Sequence, residues 1–227
     1  MIDHESDLAH VHEATARLLN AAASLDNAAV AEPSRLPGWT RGHVLAHVAR
    51  NADALVNALK GLPMYPDAAT RDSDIERDSG RPLDVQLADV RATADRFAAV
   101  GAEPADWSRT VELRNGVTDS ASRIPFRRWV EVDLHHVDLG VGYELEDLPE
   151  EFVQREIDFL TERFAGLESV PETVLRAADG RGWTTGGTSG GVAVMGPATE
   201  LLGWLSGRRD GSALTTEGGP LPELPAL

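Results

Sequence analysis

Residues 127–139 read RRWVEVDLHHVDL, and no other segment narrows the possible folds as much. Val130, Leu134 and Val137, continued by Val141, recur at helical spacing. Glu131, His135, His136 and Asp138 lie among them. Burying ionisable groups is costly unless each meets a partner. The helix must therefore face solvent, complementary side chains, or a metal.

Other segments supply possible neighbours. Residues 5–30 are rich in Ala and Leu, contain no Pro or Gly, and predict a first helix. The run AEPSRLPG then breaks it. Thr40 suits the N-cap of a second helix reaching about Lys60, with Val44, Val48, Leu55 and Leu59 on one face. Residues 61–82, rich in Pro and Asp, read as a long connection, and connections of that length are usually functional or mobile. Residues 83–100 predict a third helix, and residues 122–143 a fourth. Four amphipathic helices of this kind point to an antiparallel four-helix bundle over residues 1–148.

The texture then changes. Residues 150–168 predict a helix, and residues 172–179, 182–187 and 191–196 are short strand-like runs separated by Gly. PATELLGWLSG predicts a last helix, with Pro197 near its start and Gly207 at its end. The tail from Glu217 is Pro-rich and reads as extended. The expected class is α+β, a bundle followed by a small C-terminal α/β domain at residues 149–227. The Gly-rich GRGWTTGGTSGG at 180–191 lacks the Gly-Lys-Ser/Thr ending of a phosphate loop and reads as hairpin turns.

Charge limits the partners. With 37 acidic against 21 basic residues the net charge is −16, which repels phosphate backbones and argues against nucleic acid. No apolar run approaches a membrane span, and the acidic MIDHESDLAH is unlike a signal peptide. A cytoplasmic, monomeric protein handling small molecules is expected. The chain has no Cys, so disulfides, Cys-based zinc sites and a cysteine nucleophile are excluded.

Glu131 and His135 are one helical turn apart and leave the same face. Zinc accepts imidazole nitrogen and carboxylate oxygen, and a catalytic site typically uses three protein ligands and an open position. The same pair also suits a half-buried Glu–His ion pair. The second helix offers His43 and His47, of which His47 sits on the apolar seam between Val44 and Val48. His47 opposite Glu131 and His135 would complete a bundle metal site. A satisfied core histidine is the alternative. Asn51 is placed to orient the site or fill a polar gap. Asp138 reads either as an outer carboxylate for a ligand histidine or as a solvated residue. His136 points about 100° further round and reads as packing or surface. His4, His10 and His12 are expected on the exposed side of the first helix. Arg127, Arg128, Arg208 and Arg209 are the cations nearest the segments of interest, and the last pair suits a helix C-terminus.

Four segments together resemble the mycothiol-dependent maleylpyruvate isomerases, among the DinB-like metal-binding bundles. They are LPGWTRGHVLAHVARNADAL, PMYP, FRRWVEVDLHHVDLG and LLGWLSGRRDGSALTTEGG. The resemblance implies zinc held by His47, Glu131 and His135, and a substrate-binding role for Arg208. It implies an external low-molecular-weight thiol, mycothiol or ergothioneine, in place of the missing cysteine. The thiolate would add to the cis double bond of dianionic maleylpyruvate, and elimination after rotation would leave fumarylpyruvate. Thiol S-transfer at the same three ligands, and a non-catalytic metal-containing binding protein, are the competing readings.

Overall fold

The structure, a computed structural model, describes residues 3–103 and 105–225. The chain divides into two compact units, one ending at Tyr143 and the other beginning at Glu144.

Helix α1 (His4–Ala22) starts where Asp3 accepts the Ser6 N–H at 3.1 Å. It stops well short of residue 30. Asp26 accepts the Ala29 N–H at 2.8 Å and so restarts the chain as the short α2 (Asn27–Ala31). The expected single helix is therefore two. Helix α3 (Arg41–Leu59) begins with a capping box between Thr40 and His43. Residues 61–82 hold an unexpected helix, α4 (Ala68–Ser79), followed by α5 (Leu83–Gly101). Helix α6 (Ile124–Leu139) ends at Gly140, whose φ of +64° is left-handed, so it is shorter than the 122–143 span expected.

Helices α1, α5, α3 and α6 form the bundle. Each packs on two of the others, α3 on α5 and α6, α1 on α6 and α5. Leu18, Leu45, Val48, Val90, Phe97 and Val132 fill the space between them, all fully buried. Helix α4 stands outside this ring and packs on α3. Its backbone comes so close that a Cβ on Gly42 would lie 2.2 Å from the Ser79 carbonyl oxygen. Buried Asp78 joins the contact by pairing with Arg77 at 2.9 Å, with Arg81, and with Arg50 of α3 at 3.7 Å. Strands β1 (Thr110–Glu112) and β2 (Thr118–Ser120) form a hairpin before α6. Asn115 and Gly116, with φ of +61° and +72°, turn it.

The second unit contains α7 (Glu150–Phe164), β3 (Thr173–Ala177), β4 (Gly182–Thr185), β5 (Val192–Gly196), α8 (Ala198–Leu205) and β6 (Thr215–Glu217). The strand order is β4-β3-β5-β6, with β3 and β5 parallel and the other pairs antiparallel. Fully buried Leu175 and Val194 meet Phe152, Ile157, Leu201 and Leu202 in its core. The Gly-rich segment is only partly a hairpin. Gly180 (φ +92°) belongs to the β3–β4 turn. Residues 186–191 instead cross the start of β3, because Thr173 pairs with both Thr185 and Val192. Gly186 passes so near that a Cβ would lie 2.1 Å from the Pro171 carbonyl oxygen. The class is α+β as expected. No helix among the described residues is long and apolar enough to cross a membrane.

Candidate metal centre

Packing of α3 on α6 brings His47, Glu131 and His135 together, with one ligand-type atom from each within 4.8 Å of the others. The Glu131 Oε2 atom lies 2.9 Å from His47 Nε2 and 3.3 Å from His135 Nε2. His47 is buried, whereas Glu131 and His135 are half-buried. The two imidazoles meet edge to face, 4.6 Å between centroids, and Trp39 closes over His47 at 5.5 Å.

The charges are coupled. Burial alone would raise the Glu131 carboxyl, but hydrogen bonds from His135 and His47 hold it well below the usual carboxylate range. Burial pushes His47 down, helped by the neighbouring His135 and Arg71 and opposed by Glu131. Burial also disfavours charge on His135, yet its bonds to Asp138 and Glu131 raise it overall. The cluster is thus an ionised carboxylate flanked by two unlike imidazoles.

These donors suit zinc. Two ligands about 2.1 Å from one ion at a tetrahedral angle stand roughly 3.4 Å apart, close to the separations from Glu131 to the two rings. His135 has the outer partner that a ligand histidine usually needs. Its Nδ1 lies 2.8 Å from Asp138 Oδ2, so a neutral ring that donates there would keep its lone pair on Nε2 for a metal. Asp138 is buried and is not the solvated residue that the sequence also allowed.

The other candidates have different work. His43 spends Nδ1 on Thr40, 2.7 Å from its Oγ1, and Nε2 on Glu76 at 3.1 Å. His136 is buried and stacked on Tyr143 at 4.0 Å. Asn51 turns away from this role and accepts from Arg128 Nη1 at 2.9 Å. Arg128 is fully buried, and its Nη1 also donates to the Val48 carbonyl at 2.9 Å. Its Nε and Nη2 have no hydrogen-bond partner among the described residues. Burial lowers its pKa to about 10, against the pull of Glu131 and Tyr65, so it stays cationic at neutral pH. Arg127 pairs with Asp119 at 2.6 Å. Arg208 and Arg209 belong to the second unit. Arg208 is half-buried beyond α8, with Nη1 3.2 Å from the Ser206 carbonyl, while Arg209 is bound by Glu200 at 2.6 Å and Glu146 at 2.7 Å. Of the three α1 histidines only His12 is exposed. His4 stacks on Trp107 at 4.4 Å and His10 on Trp129 at 4.1 Å, so aromatic neighbours overturn the expectation for these two.

Two residues beside the cluster were not anticipated. Arg71 of α4 places Nη2 3.3 Å from His47 Nδ1, and its guanidinium carbon lies 6.0 Å from the centroid of the Tyr65 ring. Their signal was available in the MYP that precedes α4 and in an Arg one turn past the Asp67 cap.

The N-terminal domain model of the mycothiol maleylpyruvate isomerases matches residues 11–140, and the family's C-terminal domain model matches residues 147–226. The chain belongs to this family. The solved structure of the mycothiol-dependent maleylpyruvate isomerase is 27% identical with a TM-score of 0.87, and the match covers 99% of this chain and 97% of that one. A structure of a histidine-to-alanine mutant of that isomerase gives the same values. Among curated proteins none matches the chain. Family membership extends through both units.

Proposed function

We propose that this protein is a thiol-dependent isomerase converting maleylpyruvate to fumarylpyruvate, with zinc held by His47, Glu131 and His135. The observation that carries this reading is the match to the isomerase structure over 99% of the chain. The convergence of the three side chains supports the metal. When bound, zinc supplies a positive charge that stabilises the thiolate over the thiol at neutral pH.

The chain's own residues account for the remaining needs. Isomerisation requires a nucleophile that adds to the cis double bond, permits rotation, and leaves. With no Cys, that sulfur must come from solution, and mycothiol is the expected source, with ergothioneine as the competitor. As the S–C bond forms, the π electrons shift onto the conjugated carbonyl oxygen as an enolate. Their return re-forms the double bond in the trans arrangement and expels the thiolate. Glu131, held ionised, and His135, fixed by Asp138, present pre-formed donors that cost little to organise. Arg208 is the proposed holder of a substrate carboxylate or of the enolate oxygen, and its planar fork suits either. The protein is taken to act as a cytoplasmic monomer on small molecules, without nucleic acid or membrane partners.

The test combines zinc content with turnover. Purified protein should carry close to one zinc, which His47→Ala and His135→Ala lose and His43→Ala keeps. Fumarylpyruvate should form only when thiol is added, and comparing mycothiol, ergothioneine and glutathione identifies the natural one. Turnover without thiol, or a stable S-conjugate as the end product, rejects the isomerase reading.

A further inference from the structure

Beside the cluster, within the first unit, lies an open groove of about 580 Å³. It falls within the roughly 300–1,000 Å³ typical of small-molecule sites. One wall is the segment leading into α4, with Met64, Tyr65 and Arg71, and the other is the β1–β2 hairpin, with Arg109, Arg114 and Asn115. Three arginines against Asp67 and Glu112 make the lining of the groove cationic in a chain of net charge −16. Asp67 is already engaged as the cap of α4, accepting the Thr70 N–H at 2.7 Å.

The arginines differ in availability. Arg109 is spent on backbone carbonyls, that of Asp106 at 2.8 Å and that of Leu59. Arg114 is exposed, and its side chain forms no ion pair with the described residues. Arg71 donates to Asp72 at 2.7 Å and to His47 Nδ1 at 3.3 Å. Tyr65 lines the same groove and feels the charge of both Arg71 and Arg114. Burial pushes its phenol up, against the pull of both cations, so it remains an O–H donor at neutral pH.

We propose that Tyr65, Arg71 and Arg114, which line this groove, form a carboxylate-binding subsite for the dianionic substrate. The proposal rests on the isomerase reading above. It adds a holder on the metal-bearing unit itself, separate from Arg208. Arg71 would grip a carboxylate with its fork while Tyr65 donates to the same group and Arg114 adds charge from the rim.

Isothermal titration with maleylpyruvate in the absence of thiol reads binding without turnover. Zinc-loaded protein should bind it. Arg71→Gln should lose tenfold or more in affinity, Arg71→Lys less, and Arg114→Gln a few-fold. Zinc content measured on the same samples should be unchanged in Arg71→Gln. Parent binding that Arg71→Gln leaves unchanged overturns the subsite alone. A zinc-loaded parent that binds no maleylpyruvate overturns the proposal together with the reading beneath it.

Discussion

Asp138 Oδ2 lies 2.8 Å from His135 Nδ1, and that contact selects which nitrogen of the ring faces Glu131. Removing it frees the ring to rotate and to change tautomer. Asp138→Ala should weaken zinc binding about 10- to 100-fold, the usual cost of losing such an outer partner. Competition against a chromophoric chelator measures this. Parent-like affinity would reduce Asp138 to a packing residue.

Arg208 and Arg209 are neighbours with different expected effects. Arg208→Ala should keep fold and zinc while losing about 2–4 kcal/mol of transition-state stabilisation, the order found for one oxyanion donor. Arg208→Lys should recover part of it. Arg209 is bound to Glu146 and Glu200. Arg209→Ala should lower stability slightly, by about 0.5–1 kcal/mol for a partly exposed network, and leave kcat/KM unchanged. Values of kcat/KM on samples of known zinc content decide between them.

The cap of α4 has a definite pH signature. Hydrogen bonds from the Thr70 backbone and side chain hold the Asp67 carboxyl below its ordinary value of 3.8. Because the folded value is the lower one, the cap's contribution is complete above 3.8 and is lost as pH falls through the folded value. Amide exchange at Thr70 and Arg71 should be slower in the parent than in Asp67→Ala throughout the neutral range. The difference should vanish in acid. A gap that persists at the lowest pH would mean the protection has another source.

Gly42→Ala tests how tightly α4 is seated. The added methyl would stand 2.2 Å from the Ser79 carbonyl oxygen, and backbone cannot yield as a side chain tip does. Overpacking of this kind typically costs about 1–3 kcal/mol. Urea denaturation should show that loss with an unchanged m-value. Unaltered stability would mean that α4 moves away freely.

The bundle was readable because its helices keep apolar residues in register over many turns, as Val44, Val48, Leu55 and Leu59 do. The three-residue cluster was readable for a related reason, since i, i+4 spacing fixes a shared face. Helix α4 was hidden because only Ile75 and Asp78 are buried along it. Caps and ion pairs hold it, and neither leaves a periodic trace. The hairpin was too short for alternation, although its Asn-Gly pair is a turn signal that could have been read. The parallel pairing of β3 with β5 is non-local and has no mark in either strand. Arg71 was missed along with the helix that carries it.

Helix α4 lies outside the ring of four helices and is fastened to it at the Gly42 and Asp78 end. The opposite end, with Tyr65 and Arg71, borders the groove. Residues 61–79 therefore behave as a cassette, whose groove-facing half can be rewritten while its anchor and the interior stay as they are. Selection for a different anionic substrate would find useful substitutions in this stretch first. A library confined to these positions would explore new specificities at little risk to folding.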